Sequence, residues 1–392
     1  MKIGILVPYS WSYHGGVVEH AEQQAQALQQ LGIGTRIIIG CDPPGPLTRM
    51  LHVRLGRQET PPAEIIPIGR TVVIPHNGSL ANAIVNPAAV LRFLRVLADE
   101  KFDLLHLHEP TVPVPCVAAL MFAREPLVGT FHASGALRLL KRTRFLYGSL
   151  LDRLDARISV SNVARETAQR YFPGIYDIVP NGTPIPPEAG TGNRLNRIVF
   201  IGRHDRRKGL HVLFGAWPRI RSATGARLRV IGTDPLAARR LKARLGMPRD
   251  GIDLLGPISE KALTSELLAA KVLVAPSLGN ESFGMVLTRA FGCGTPVVAS
   301  DIPGYRAIVT PDAGELVASG DAGLLAEAVI GMLSDERRRA ACGVHARELA
   351  QRCYSWEQIA LRLAALYERV LFPSQKQEAP QPPQHESAQT AA

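Results

Sequence analysis

The tightest constraint on this chain is a rhythm of short, continuously apolar runs separated by helical patterns, because that rhythm starts twice. KIGILVP, TRIIIGC, DLLHLHEP, PLVGTFHAS, ARISVS and YDIVPNG fill the first half, with the helix-forming EHAEQQAQALQQLG between the first two. Runs without polar alternation are strands covered on both faces, which requires a parallel sheet with helices on each side. After the Pro/Gly-rich stretch NGTPIPPEAGTGN at 181–193 the pattern restarts with RIVFIGRHD, LRVIGTD, IDLLGPIS, KVLVAPS and PVVASD. A chain of 392 residues is too long for one ordinary core, so the double start predicts two doubly wound α/β domains joined by a hinge. The predicted divisions are 1–185, 186–354, a helix at 355–372 that packs back toward the first domain, and a tail at 373–392 too poor in apolar residues to dock.

Charge narrows the partners only to anions. With 45 Lys and Arg against 34 Asp and Glu the formal balance is +11, which attracts phosphate on a nucleotide, a nucleic acid or a membrane alike. No zinc spacing, RNP motif or helix-turn-helix signature accompanies it, so nucleic acid is not expected as a partner. The five cysteines are odd in number and scattered, the pattern of reduced, structural thiols. The opening MKIGILVPYS is too short for a signal peptide, and no apolar run reaches spanning length, so a cytoplasmic or membrane-peripheral protein is expected. The segment 136–153 interleaves Arg138, Lys141, Arg142 and Arg144 with Leu137, Leu139, Leu140, Phe145, Leu146 and Tyr147. Such a basic amphipathic helix would lie on an anionic bilayer; leucines packed on a sheet with solvated cations are the other reading.

In an open parallel sheet ligands bind beyond the carboxyl ends of the strands, and several such ends carry chemistry. Gly15-Gly16-Val17 follows the first strand and opens a helix, where missing Cβ atoms let amides approach an anion; a plain tight turn would look the same. Gly202 to Gly209 holds four permanent cations, Arg203, Arg206, Arg207 and Lys208, after the first strand of the second half. Glu281, in the run Gly279 to Gly284, precedes a helix starting near Gly284 and could be its N-terminal cap. His108, Glu109 and His132 end strands of the first half. Neither a G-x-G-x-x-G fingerprint nor a Walker A lysine is present, which argues against a dinucleotide oxidoreductase and a P-loop enzyme.

VPYSWSYHGGVVEH, IPHNGS, LHLHEP, GTFHAS, the PNG of 180–182, the GR...RKG loop, GNESFGMVL and GTPVVASDIPGYR occur in one order and spacing. Over residues 1–371 they resemble the family 4 GT-B retaining glycosyltransferases, and among them the bacterial phosphatidylinositol mannosyltransferases. The resemblance implies two Rossmann-like domains with the substrate cleft between them, the first for the acceptor and the second for the nucleotide-sugar. It implies Gly16 near the donor diphosphate, Arg203 and Lys208 on its oxygens, Glu281 on sugar hydroxyls, and the amides of Ser282, Phe283 and Gly284 beside the phosphate. His132 would touch the donor sugar, while Tyr9, Asn77 and Ser79 would seat the acceptor.

The donor implied is GDP-mannose and the acceptor a phospholipid headgroup such as phosphatidylinositol, at the inner face of the cell membrane. A glucosyl- or mannosyltransferase acting on diacylglycerol or a soluble acceptor, and a catalytically silent nucleotide- or membrane-binding homologue, stay open. No Asp-x-Asp motif is present, so the two cations would serve as counter-charge without an obligatory divalent ion or other cofactor. Oligomeric state is left open. Two features depart from the family: the second glutamate of its Glu-x7-Glu pattern, a ribose contact, is Arg289 here, and the GR...RKG loop is one residue shorter.

Overall fold

The computed structural model describes residues 1–13, 15–52, 56–57, 59–76, 79–133, 148–188, 194–246 and 251–373. In the first domain the strands are β1 (Lys2–Ser10), β2 (Gly34–Gly40), β3 (Ile65–Gly69), β4 (Val72–His76), β5 (Ser79–Ala83), β6 (Leu104–His108), β7 (Leu127–Phe131), β8 (Ala156–Ser159) and β9 (Asp177–Ile178). They run in the order β3-β2-β1-β6-β7-β8-β9, all parallel, with the antiparallel β4–β5 hairpin attached where Tyr9 pairs with Ala83. The second domain has β10 (Leu195–Ile201), β11 (Arg227–Ile231), β12 (Ile252–Gly256), β13 (Ala270–Ala275), β14 (Val297–Ser300) and β15 (Gly314–Val317), in the order β12-β11-β10-β13-β14-β15.

Both orders reverse direction once, between β1 and β6 and between β10 and β13. Chain leaving adjacent strands on opposite sides opens a crevice at that point, and ligand sites form there. The glycine-rich turn follows β1, Glu109 follows β6, the cationic loop follows β10 and the Glu281 loop follows β13. Topology therefore brings four of the five motif segments to two facing crevices.

Ile3, Ile5 and Val7 of β1, fully buried, join Val18, Ala21, Ala25 and Leu28 of the helix Gly16–Gln30 in one core. The same core takes in Ile359, Ala360, Leu363, Leu366 and Tyr367 of the last helix, Trp356–Leu371. Their spacing gives one apolar helix face, so a helix that follows the second domain in sequence is packed into the first. Burying each large side chain contributes roughly 1.5–3 kcal/mol, enough together to hold the crossing. Ser355 caps that helix by accepting from the Gln358 amide at 3.3 Å, and the Thr183 amide donates to the Tyr354 carbonyl at 2.7 Å. Gly182 of the PNG motif lies against the Trp356 indole, where any Cβ would overlap the ring.

β9 is shorter than its run suggests, and β3, β4, β5 and β15 lie outside the expected strands. β3 contains Pro67, just after which its register against β2 shifts, and β15 carries the partly exposed Glu315. No helix among the described residues is long and apolar enough to cross a membrane. Of the candidate membrane segment, residues 136–147 lie outside the described residues, as does the tail from 374.

Candidate active site

On the second domain, Gly209 adopts φ +71 and sits so close to the Pro276 carbonyl that no side chain fits. That approach lays the cationic loop on the loop after β13, where the Leu278 amide donates to the Arg207 carbonyl at 2.7 Å. A short turn, Arg206–Lys208, is capped by the Asp205 carboxylate, which accepts the Arg207 amide at 2.9 Å and its guanidinium at 2.6 Å. Arg207 is thereby neutralised, whereas Arg203 and Arg206 have no acid partner among the described residues. Lys208 Nζ meets Glu281 Oε1 at 2.7 Å. Glu281 Oε1 also accepts from Ser277 Oγ at 3.4 Å, and that hydroxyl is 2.9 Å from Tyr305 Oη.

Glu281 is not a helix cap. The helix is Met285–Gly292, and Gly284 at φ +91 stands in the cap position with no side-chain cap bond. The carboxylate is instead held in the crevice by Lys208, a pair that an incoming anion can part by drawing the ammonium to itself.

Across the crevice, a Cβ on Gly16 would lie 3.7 Å from Met285 Sδ. The N-termini of Gly16–Gln30 and Met285–Gly292 thus face one another, and each presents unpaired amides and the positive end of a helix dipole. Two further links cross between the domains: Ser161 Oγ donates to the Ser282 carbonyl, and Arg289 Nη2 reaches Glu19 Oε2 at 3.3 Å. Arg289 Nη1 holds Glu260 Oε2 at 2.9 Å, so this guanidinium, 17% exposed, lies between carboxylates of both domains.

The first domain presents a different surface. His132, just past β7, places Nε2 2.9 Å from His108 Nδ1 at the end of β6. The His20 ring, one helical turn beyond Gly16, meets the His108, His132 and Trp356 rings edge-on at 5.4, 5.2 and 5.1 Å. His106 stacks on His108 at 4.7 Å; its Nδ1 is 2.6 Å from Tyr367 Oη and its Nε2 2.6 Å from Thr130 Oγ1. Gln24 Nε2 donates to Tyr367 Oη at 3.1 Å.

Burial lowers the pKa of all four imidazoles, to about 4 for His20 and about 3 for His106, and neighbouring rings lower His106, His108 and His132 further. They are neutral at physiological pH. Glu109, in the left-handed region at φ +52, accepts the His132 amide at 3.1 Å, and burial pushes its carboxyl up to about 7. His20, His108 and His132 are the described group whose ligand atoms, all within 4.8 Å of one another, could turn toward a metal ion. That would require giving up the bond joining His108 to His132.

Tyr9, the last residue but one of β1, pairs with Ala83 of β5, and burial raises its phenol pKa. Ser79 opens β5, while Asn77 lies outside the described residues.

A family model described as Glycosyltransferase Family 4 matches residues 14–185, and one described as Glycosyl transferases group 1 matches 196–335. The phosphatidyl-myo-inositol mannosyltransferase of Mycobacterium leprae is 32% identical over 386 residues, covering 94% of this chain and 97% of that protein. The chain belongs to the family 4 glycosyltransferases. The protein of the same name from Propionibacterium freudenreichii is 31% identical over 380 residues, 94% of each chain. Among solved structures, HepE of Anabaena in complex with UDP and glucose superposes with a TM-score of 0.69 over 93% of this chain and 99% of its own, at 19% identity. A glycosyltransferase of Rickettsia africae gives 0.69 at 18% identity, over 95% of this chain and 99% of its own. The fold is GT-B.

Of the residues that the motifs of this family 4 glycosyltransferase singled out, the structure brings Gly16 close to Met285, just past Ser282, Phe283 and Gly284, and Lys208 onto Glu281; Arg203 stands on the same loop as Lys208, and His132 lies in the buried histidine stack. The motifs did not indicate His20, Gln24, His106 and Tyr367 as one buried network, nor Glu19 and Glu260 as partners of Arg289. His20 had a faint signal, since it is one turn beyond Gly16 on the same helix. Tyr367 had none, being 261 residues from His106.

Proposed function

We propose that the chain transfers a mannosyl group, with retention at the anomeric carbon, from GDP-mannose to a hydroxyl of phosphatidylinositol at a membrane surface. What supports the reaction class is the approach of two helix N-termini, at Gly16 and Met285, beside the Lys208–Glu281 pair, an arrangement suited to a diphosphate, with Arg203 carried on the same loop as Lys208. Sugar and acceptor rest on the full-length relatives named phosphatidyl-myo-inositol mannosyltransferase.

When the C1–O bond to the leaving diphosphate breaks, negative charge grows on the phosphate oxygens, and Arg203 and Lys208 stabilise it. Release of Lys208 frees Glu281 to accept from sugar hydroxyls. The acceptor hydroxyl adds to C1 on the face the leaving group departs from, and a leaving phosphate oxygen takes its proton. His132 stays neutral in its dry histidine stack, so it can hydrogen-bond the sugar without repelling the positive charge that develops at C1. Tyr9, Asn77 and Ser79 are assigned to the acceptor, and the segment 136–153 to the anionic bilayer.

The test is transfer of radiolabelled mannose from GDP-mannose into phosphatidylinositol vesicles, with soluble inositol phosphate in parallel. Label in the organic phase that α-mannosidase removes is the expected result; no label in lipid defeats the acceptor assignment. Label only in the aqueous product would favour a soluble acceptor, a reading encouraged by the D-inositol 3-phosphate glycosyltransferase of Xylanimonas cellulosilytica, 32% identical over 54% of this chain and 56% of its own. A thermal-shift panel of GDP, UDP and ADP identifies the base, since a ligand at 100 times its Kd stabilises by about 2.7 kcal/mol.

A further inference from the structure

An open cavity of about 510 Å³ shares only Arg203 with the residues to which the proposed reaction is assigned. One wall is the cationic loop, with Arg203, His204 and Arg206; the other is a face of the helix Pro235–Arg244. Ala237, Arg240, Leu241 and Arg244 of that helix line it, and their spacing of three, four and seven residues puts them on one side. Leu210 and His211 also line the cavity.

Four guanidiniums therefore border one hollow, and none has an acid partner among the described residues. The one carboxylate of the lining, Asp205, is already engaged by Arg207 at 2.6 Å. Arg240 and Arg244 stand one turn apart as like charges, an arrangement that disfavours the helix unless an anion compensates it. Elsewhere in the same domain arginines are paired: Arg197 with Glu266 at 2.7 Å, Arg229 with the same residue at 2.6 Å, Arg338 with Glu315 at 2.8 Å. His211, which also lines the hollow, is lowered in pKa by burial and by Arg206, which favours its neutral form.

We propose that this cavity is a second anion site, which binds the phosphate of a phosphate ester between Arg203 and Arg206 on one wall and Arg240 and Arg244 on the other. Planar guanidiniums suit phosphate oxygens, and Leu210, Ala237 and Leu241 give the organic part of the ester an apolar wall. The site is separate from the diphosphate crevice except at Arg203, and it stands whether or not the sugar and acceptor assignments hold. A lipid headgroup and a soluble phosphate ester offer the same chemistry.

The test compares the full chain with Arg240→Glu/Arg244→Glu and the milder Arg240→Gln/Arg244→Gln. Both positions are exposed on the helix, and circular dichroism checks folding. Inorganic phosphate is titrated by calorimetry with and without saturating GDP, and flotation uses phosphatidylcholine vesicles with and without phosphatidylinositol. The expected result is a loss of phosphate or phosphatidylinositol-vesicle binding of about tenfold or more in both variants. GDP affinity should stay within about twofold, and Arg219→Gln/Arg338→Gln, which removes equal charge elsewhere, should bind as wild type. A loss for inorganic phosphate identifies a soluble ester; a loss for vesicles alone identifies a headgroup. Unchanged binding of both probes in the Glu and Gln variants, or complete displacement of phosphate by GDP, overturns the proposal.

Discussion

The two domains share a fold and meet crevice to crevice, yet the surfaces they bring together are opposites. The second domain offers charge open to water: the exposed Arg203 and Arg206 and the partly exposed Lys208–Glu281 pair at 2.7 Å. The first offers neutral rings out of water, with His108 and His106 fully buried and His20 4% exposed. A reaction that separates charge between a sugar and a phosphate needs both: cations where anion develops, and a dry neutral wall where cation develops. The wall is also fixed more firmly, because Tyr367, on a helix that follows the second domain in sequence, closes its network.

The comparison breaks first if the charged side is dispensable. Lys208→Ala and Arg203→Ala are each expected to lower kcat/KM about tenfold to a hundredfold, since a charge-assisted hydrogen bond to the leaving group is worth roughly 1.5–3 kcal/mol. Steady-state rates near normal in both would remove the diphosphate from this crevice.

Acid sharpens the comparison next. The lowered imidazole pKa values mean that the unfolded chain binds more protons than the folded one, between about 4 and 6.5 for His20. The His20 contribution is therefore fully present above pH 6.5 and is lost as pH drops through that window, by about 3 kcal/mol. Glu109, raised to about 7, acts oppositely, favouring the folded state as pH falls toward 4.5, but it is one group against four. Urea unfolding at pH 7 and pH 5 should show a clear loss at the lower pH; equal stability would mean the stack is not neutral and dry.

Tyr367→Phe tests the closing helix with a smaller effect. It keeps the ring but leaves His106 and Gln24 short of a buried partner, which costs about 1–3 kcal/mol in denaturant unfolding. No change would mean that the network adds nothing to the packing of that helix.

The smallest effect belongs to Arg289. Arg289→Glu sets a third carboxylate beside Glu19 and Glu260 in a partly screened site, so donor KM should change by about tenfold or less and kcat by only a few-fold. Abolished turnover would give the arginine a part in catalysis.

The apolar runs announced β1, β6, β7, β10 and β13, because a strand buried on both faces leaves no room for polar alternation. Their glycine-flanked ends announced the crevices, because close backbone approach at Gly209 excludes any side chain. Local chemistry alone, however, allowed Glu281 to be a helix cap; only the fold, by laying the cationic loop against it, made it the partner of Lys208. The histidine wall was legible as separate strand ends but not as one stack. Which rings touch depends on sheet order, and their neutrality depends on burial that no single segment provides. The sequence alone determined two doubly wound domains and the positions of their reactive edges, since periodicity and glycine are local properties. Tertiary structure decided how the edges differ, because pairing Tyr367 with His106, or Arg289 with Glu19, joins residues whose separation along the chain exceeds any pattern.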